Sequence, residues 1–336
     1  MYTPQSPKTE LSIAQLANLS QRFESLSSVP ALAQILGVPE QRLLTLSAKQ
    51  AYISFHIPKP GGEKRLIEHP VAELKEIQHT LNRYLQAVYY GVKPDCAYSF
   101  IIRPNDDFQP RNIYFNAMRH HKSEWFWQLD LKDFFHTVTK THLKNLFQHL
   151  FFFPPELSGL LTALCTSKGR LPMGAPTSPV LSNLVCLLMD AELEQIAALH
   201  QAIYTRYADD LTFSFPQAPA ANFIEQVRVV LLRHSFVVNE NKLQFRARAE
   251  QPEVTGLVIG HGLKPGLSKP WLKRLKQEIR MYEWLMSEAV RQRGMFHAFV
   301  FDSFRRSVLG QVEFVGFVEG KDSGVFRKLA AKVRWG

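Results

Sequence analysis

Three features of the sequence predict an α+β fold. Strand-like and helix-like segments follow one another irregularly, without the regular alternation of a parallel βαβ sheet. Two strand-like segments, Trp125–Leu129 and Ala202–Phe215, are apolar enough for a core and carry aspartates at an end or a tip. The last stretch, from His261 onward, reads as basic helices. With 336 residues, 46% hydrophobic and 21% charged, the chain suits about two domains or one enzyme of several lobes. A core of that size needs no disulfide or metal to close it.

Each element has its own signal. From Leu11 to Leu46 the spacing gives short helices, broken at Gly37-Val38-Pro39 and without a basic face, so packing is their expected role. Residues 1 to 10, polar with two prolines, are expected to be disordered at the tip. Ala51 to His69 reads as a hairpin: YISFHI, then Pro58-Lys59-Pro60-Gly61-Gly62 as the turn, then Lys64-Arg65-Leu66-Ile67. Pro70 is expected to open a helix with Val71, Leu74, Ile77, Leu81, Tyr84, Leu85 and Val88 at helical spacing. Trp125 to Leu129 is a buried strand ending in Asp130, and a helix comes after it from roughly Lys140 to Phe151. Ser178 to Glu194 is expected as one helix opened by Pro179, with Leu181, Leu184, Val185 and Leu188 inward. Ala202 to Phe215 is the clearest hairpin, with Ile203, Thr205 and Tyr207 on one arm and Leu211, Phe213 and Phe215 on the other. Its tip is Ala208-Asp209-Asp210. A helix from about Ala221 to His234, a strand near Phe236 and a long helix from Pro270 complete the reading. The apolar side of that last helix is Leu272, Leu275, Ile279 and Leu285 or Met286.

The charge narrows the function class. Forty Lys and Arg stand against thirty Asp and Glu, a formal +10. From His261 onward there are 15 basic and 7 acidic residues, so most of the excess sits in the last part of the chain. A basic lobe on a nearly neutral body suits a polyanion, with a merely solvated basic face as the alternative. No apolar run reaches the roughly 18 residues of a membrane span; the longest, Phe151 to Cys165, contains Pro154-Pro155 and Glu156. The opening residues show no export signal. Cys96, Cys165 and Cys186 form no CxxC pair and read as reduced, mostly buried thiols of a cytosolic protein.

Two adjacent aspartates at a hairpin tip repel each other, and each raises the other's pKa unless a cation or hydrogen bonds compensate. On its own Asp209-Asp210 would be ordinary turn chemistry. Here the flanking strands are apolar, and Asp130 ends another apolar strand. If the two strands are neighbours, three carboxylates meet at one sheet edge. Such hard oxygen ligands suit Mg²⁺, which takes its remaining ligands from water and phosphate. Two such ions can activate an attacking hydroxyl and stabilise a leaving pyrophosphate.

Tyr207-Ala208-Asp209-Asp210 and the upstream Leu129-Asp130-Leu131-Lys132-Asp133-Phe134-Phe135 resemble the palm of reverse transcriptases. Between them, Leu171-Pro172-Met173-Gly174-Ala175-Pro176-Thr177-Ser178-Pro179 is similar to that family's LPxGxxxSP loop. The resemblance implies a right-hand polymerase with fingers, palm and helical thumb. It gives Asp130, Asp209, Asp210 and the Leu131 carbonyl as ligands of two Mg²⁺ ions, or of Mn²⁺ in their place. Phe135 falls where the family places an aromatic gate against a ribose 2′-OH; the alternative is a core side chain. Lys64 and Arg65 match finger residues that grip the incoming dNTP triphosphate. Lys242 matches a lysine near the leaving pyrophosphate, with a solvated surface lysine as the alternative. Met173 stands where the family usually has Gln. It lacks that amide's hydrogen bonds, which implies altered nucleotide handling with activity retained.

Two shorter elements narrow the resemblance to bacterial retron reverse transcriptases. Asn116-Ala117-Met118-Arg119-His120 fits their NAxxH element, and Val254-Thr255-Gly256 fits their VTG triplet. The implied division is an N-terminal helical extension over 1–50, fingers over 51–128 including 116–120, palm over 129–260 and a basic thumb over 261–336. The implied product is msDNA, copied from a cognate structured noncoding RNA and primed from a guanosine 2′-OH. The implied setting is cytoplasmic antiphage defence with an effector protein encoded nearby, and no membrane. RNA or duplex contacts are expected from Asn116, His120, Val254, Thr255 and Gly256, and from Lys273, Arg274, Lys276 and Arg280 on the thumb helix. Two other readings remain open. One is a diversity-generating or intron-derived reverse transcriptase; the other is a ribonucleoprotein scaffold that restrains a toxic effector.

Overall fold

The computed structural model describes residues 9–49, 51–58, 62, 64–260, 262, 264–291 and 298–333. The expected disordered tip over residues 1–10 and the hairpin turn at Lys59, Pro60 and Gly61 therefore lie largely outside the described residues.

Three short helices open the chain, α1 (Ile13–Glu24), α2 (Val29–Leu36) and α3 (Glu40–Ala48). Ser12 and Ser28 cap the first two, and Gly37 at φ 69° ends α2 in the left-handed conformation that glycine adopts without strain. The hairpin comes next as β1 (Tyr52–Pro58) and β2 (Lys64–Pro70), antiparallel with Ile57 opposite Arg65. Pro70 closes the strand instead of opening the helix, and α4 (Ala72–Val92) begins two residues later. Its inward face, Leu74, Ile77, Leu81, Tyr84, Leu85 and Val88, is the one the spacing predicts.

Next come α5 (Ile113–Arg119), β3 (Trp125–Asp130), α6 (Phe134–Thr137) and α7 (Lys140–Asn145). The helix of α7 continues to Leu150 as a π-helical turn. The chain then forms α8 (Pro155–Cys165), α9 (Ser178–Val185) and α10 (Leu187–Leu199). The expected single helix from Ser178 is thus two, separated at Cys186. That break rotates α10 relative to the expected face: Met189 is buried, and Leu188 is 73% exposed and not inward.

The main sheet has the order β4-β5-β3-β6, from β4 (Ile203–Tyr207), β5 (Asp210–Phe215), β3 and β6 (Gln244–Ala247). α11 (Ala221–Arg233) lies between β5 and β6 in sequence. Tyr204 and Arg206 are buried, as are Thr205, Thr212 and Ser214, so the two-faced alternation expected for the hairpin does not hold. The sheet is covered on both faces, and such strands lose the polar side that alternation needs. The expected strand near Phe236 is also absent. Phe236 is buried core, and only Val238 makes a single bridge, to Leu131.

The chain ends with the small hairpin β7 (Glu253–Val254) and β8 (Leu257–Val258), then α12 (Lys269–Arg291), α13 (Ala298–Glu319) and α14 (Gly324–Val333). Leu275, Ile279 and Tyr282 form the buried stripe of α12, with Leu272, Leu285 and Met286 only half-buried. Phe326 packs so closely on Gly316 that a Cβ there would stand 2.7 Å from the ring.

The chain forms two compact units. The larger takes the chain up to Asn112 with Glu124–Phe245; the smaller takes Ile113–Ser123 with the chain from Arg246 onward. The NAxxH element, expected within the fingers, and the VTG triplet, expected within the palm, both fall in the smaller unit. All three cysteines are buried and free, and burial pushes the Cys165 and Cys186 thiols up to about 12. Among the described residues no helix is long and apolar enough to cross a membrane.

Candidate active site

The antiparallel register of β3 on β5 sets Asp130 directly opposite Asp210. The Leu131 N–H donates to the Asp209 carbonyl at 2.9 Å, which ties the end of one strand to the turn of the other. Asp210 already belongs to β5 and pairs with Tyr207, so the turn proper is Ala208-Asp209. Ala208 sits there at φ 60°, a conformation that costs a non-glycine residue about 1 kcal/mol and needs support from its surroundings.

That support is a buried polar network. The Ala208 N–H donates to Ser99 Oγ at 2.6 Å, and its carbonyl accepts from Arg206 Nη1 at 3.3 Å. The Arg206 guanidinium is wholly buried and forms a two-pronged pair with Asp190, Nε to Oδ1 at 2.9 Å and Nη2 to Oδ2 at 2.6 Å. Tyr204 donates to the same carboxylate at 2.9 Å. Asn183 accepts from Arg206 and donates to the Ser99 carbonyl, both at 2.9 Å. Sequence reading missed Ser99, Asn183, Asp190 and Arg206. An arginine inside the apolar alternation of β4 is the one signal that could have shown them, since a buried guanidinium requires a buried acid.

The carboxylates themselves are electrostatically crowded. Burial, then the charges of Asp209 and Asp130, push the Asp210 carboxyl up to about 7. Asp209 is raised for the same leading reason, burial, while Lys242 and Arg65 draw it back. Lys242 donates to Asp130 Oδ1 at 2.7 Å, and Asn239 to Oδ2 at 3.2 Å. The ammonium expected beside the pyrophosphate is therefore paired with Asp130 here, and that carboxylate raises its pKa.

Among the described residues no three His, Cys, Asp or Glu side chains stand ready as a metal cage. The donor chemistry nonetheless fits a hard divalent cation. Three carboxylates share one edge, their repulsion is what a cation relieves, and Lys242 already occupies Asp130.

The other expected nucleotide residues also belong to the larger unit. Lys64 and Arg65 are exposed on β2, and Arg65 is near enough to lower Asp209. Phe135 is half-buried, its ring 5.5 Å from Phe134 and 6.0 Å from Phe100. The Met173 carbonyl accepts from the Glu68 N–H at 2.8 Å, so the 171–179 loop docks on β2. Gly174 makes this approach at φ 129°, where a Cβ would press on the Glu68 carbonyl at 3.1 Å. Ser178 Oγ braces the loop from within, donating to the Pro172 carbonyl at 2.7 Å.

In the smaller unit the NAxxH and VTG residues meet. Val254 and Leu257 face each other across a two-residue turn, Thr255 at φ 48° and Gly256 at φ 80°, the signs a type I′ hairpin requires. Threonine is strained there, and its hydroxyl donates to the Ile113 carbonyl at the head of α5, 3.0 Å away. Arg248, which sequence reading also missed, donates to the carbonyls of His121 and Ser123 just after α5. Asn116 and His120 are buried, and burial lowers the His120 imidazole to about 3, so it is neutral at physiological pH. Lys273, Arg274, Lys276 and Arg280 are all exposed on α12, away from its buried stripe.

Residues 57–259 match the family model for reverse transcriptase (RNA-dependent DNA polymerase). Curated relatives are retron enzymes. The chain is 31% identical to the retron Mx162 reverse transcriptase of Myxococcus xanthus over 271 residues, 70% of this chain and 53% of that one. It is 30% identical to the retron Ec86 reverse transcriptase of Escherichia coli, over 73% of this chain and 74% of that one. It is 32% identical to the retron Mx65 enzyme of Myxococcus xanthus, over 67% and 54%. The chain thus spans about half the length of the two Myxococcus relatives and about three quarters of the Escherichia coli one. By this match, by the aspartates set edge to edge on β3 and β5 and by the paired NAxxH and VTG elements, the chain belongs to the retron reverse transcriptases.

Proposed function

We propose that the protein is an RNA-directed DNA polymerase that copies part of a structured noncoding RNA into msDNA, primed from a guanosine 2′-OH. The observation that carries this reading is the register pair Asp130–Asp210, with Asp209 tied to it through Leu131. When bound, two Mg²⁺ ions would supply charge for nucleotidyl transfer, held by Asp130, Asp209, Asp210 and the Leu131 carbonyl.

The protein's own groups do the rest. Lys64 and Arg65 bind the triphosphate, Phe135 excludes a ribose 2′-OH, and the Met173 loop seats the nucleotide. Lys242, now paired with Asp130, would serve the departing pyrophosphate. In the assignment we favour, β1 and β2 belong to the fingers, the β4-β5-β3-β6 sheet to the palm and α12 to α14 to the thumb. The exposed basic side of α12 grips a duplex through its phosphates. Cytoplasmic antiphage defence with a neighbouring effector is the setting we infer from family membership.

The test is to express the gene with its natural flanking DNA, purify the protein and run its nucleic acid on a denaturing gel. A discrete DNA that shortens with RNase and vanishes in Asp210→Asn is the expected result. RNA without DNA in both preparations would point to a scaffold or to a primer-dependent enzyme.

A further inference from the structure

A cavity of about 650 Å³ opens in the larger unit, apart from every residue assigned above. Ser47, Lys49, Tyr52, Lys140, Thr166 and Lys168 give it its character. Its three charged lining groups are all lysines and no carboxylate lines it. Lys168 is partly offset by Glu68, 3.5 Å away, whereas Lys49 and Lys140 have no ion pair among the described residues.

Three of the cavity's hydroxyls are already committed. Ser47 donates to the Leu44 carbonyl at 2.8 Å, Thr166 to the Thr162 carbonyl at 2.9 Å and Ser167 to Glu68 at 3.2 Å. Tyr52 differs. Its hydroxyl accepts from Gln78 Nε2 at 2.7 Å, which leaves its own proton for an acceptor in the cavity. Three ammoniums and one phenol thus stand among the donors that line the cavity, which suits a ligand rich in acceptors. Lysines act as point charges without a fixed fork, which suits phosphate contacts that position a strand. The volume lies in the range of small-molecule sites, about 300–1,000 Å³, enough for a nucleotide or two of one strand and too little for a duplex.

We propose that this cavity holds the sugar–phosphate backbone of a single-stranded RNA segment outside the part being copied. Lys49, Lys140 and Lys168 contact its phosphates, and Tyr52 donates to a phosphate oxygen. The proposal rests on the RNA-binding reading above. A free nucleotide offers the same phosphate chemistry, and the test separates the two.

Lysine acetylation of the full-length protein is followed by mass spectrometry, alone and with a mixed-sequence 15-nucleotide RNA, with AMP or with inorganic phosphate. The RNA is expected to protect Lys49 and Lys140 where the small anions do not. Equal protection by AMP would make this a mononucleotide site and overturn the proposal, as would no protection by the RNA. The same RNA is then titrated by fluorescence anisotropy against wild type and the Lys49→Ala/Lys140→Ala variant at two salt concentrations. Losing two single-strand phosphate contacts lowers the salt slope by about 1.4. Between about 50 and about 200 mM salt the wild type should therefore lose roughly sevenfold more affinity than the variant. An unchanged slope refutes the contacts. Thermal melting and extension of a pre-annealed template–primer should match wild type in the variant. If the wild type itself neither extends that primer nor binds RNA, it is the polymerase reading that fails, distinguishably from the cavity.

Discussion

Replacing Asp190 with Asn separates the stability of the larger unit from its chemistry. The substitution keeps volume and removes the only carboxylate paired with the buried Arg206 guanidinium among the described residues. Breaking a buried pair from one side costs about 3–5 kcal/mol, because the remaining charge is left uncompensated. At about 2–4 °C per kcal/mol for a unit of this size, Asp190→Asn should melt about 6–20 °C below wild type. The double variant Asp190→Leu/Arg206→Met removes both charges, and such replacements are often neutral or better. It should therefore melt above Asp190→Asn, short of wild type because Tyr204 and Asn183 lose their partners, while extending a primer poorly. The reason is that the Ala208 carbonyl has lost its donor and the strained turn carrying Asp209 is free to relax. A charged hydrogen bond contributes about 1.5–3 kcal/mol. Fully transmitted to the transition state, that is about 10- to 150-fold in rate. Melting by calorimetry and steady-state extension of a fixed template–primer are the two readouts. An Asp190→Asn protein that melts within about 2 °C of wild type would refute the uncompensated-charge argument. A double variant that is both stable and fully active would refute the role of Arg206 in holding the turn.

Other outcomes rest on the same geometry. Thr255→Val keeps the β-branched strain of the type I′ turn and removes the bond to Ile113, so the smaller unit should lose about 1–3 kcal/mol, read by urea denaturation monitored through Trp271 and Trp284 fluorescence. In chelator, the Asp210 carboxyl near 7 holds a proton that the unfolded chain releases near 3.8. The folded state binds more protons across that interval, so this group's contribution to stability falls as pH rises from about 4 to about 7 and is flat above. Asp210→Asn should accordingly raise the melting temperature at pH 8 and lose that advantage below about pH 4; an equal shift at both would refute the assignment. Replacing Lys273, Arg274, Lys276 and Arg280 together by Ala should weaken binding of an RNA–DNA duplex and flatten its salt dependence by up to about 3–4 in slope, with sequence preference unchanged.

The periodic elements were legible because one residue pattern decides them. The face of α4 follows from Leu74 through Val88, and β3 from an unbroken apolar run into Asp130. The carboxylate edge was legible for a different reason: like charges at a tip need a counter-charge, and that need shows in sequence. The hidden features depended on packing across the chain. Leu188 turned outward because helix continuity broke at Cys186, where neither glycine nor proline marks the break. The hairpin's polar-looking face proved buried because Arg206 finds Asp190 some sixteen residues earlier. The place of α5 in the smaller unit was hidden because it is far in sequence from the segment it packs on, to which Thr255 and Arg248 bind it.

The docking of the 171–179 loop has a consequence for substitution. Met173 is held by its carbonyl, and Gly174 makes the close approach, so the backbone path does not depend on which side chain stands at 173. That position is a socket whose fitting can be exchanged. Glutamine, methionine or another residue can be installed without redesigning the wall behind it, so a substitution there changes the side chain and leaves the loop's course intact. The neighbouring glycine has no such freedom, and the loop combines one exchangeable residue with one that must stay.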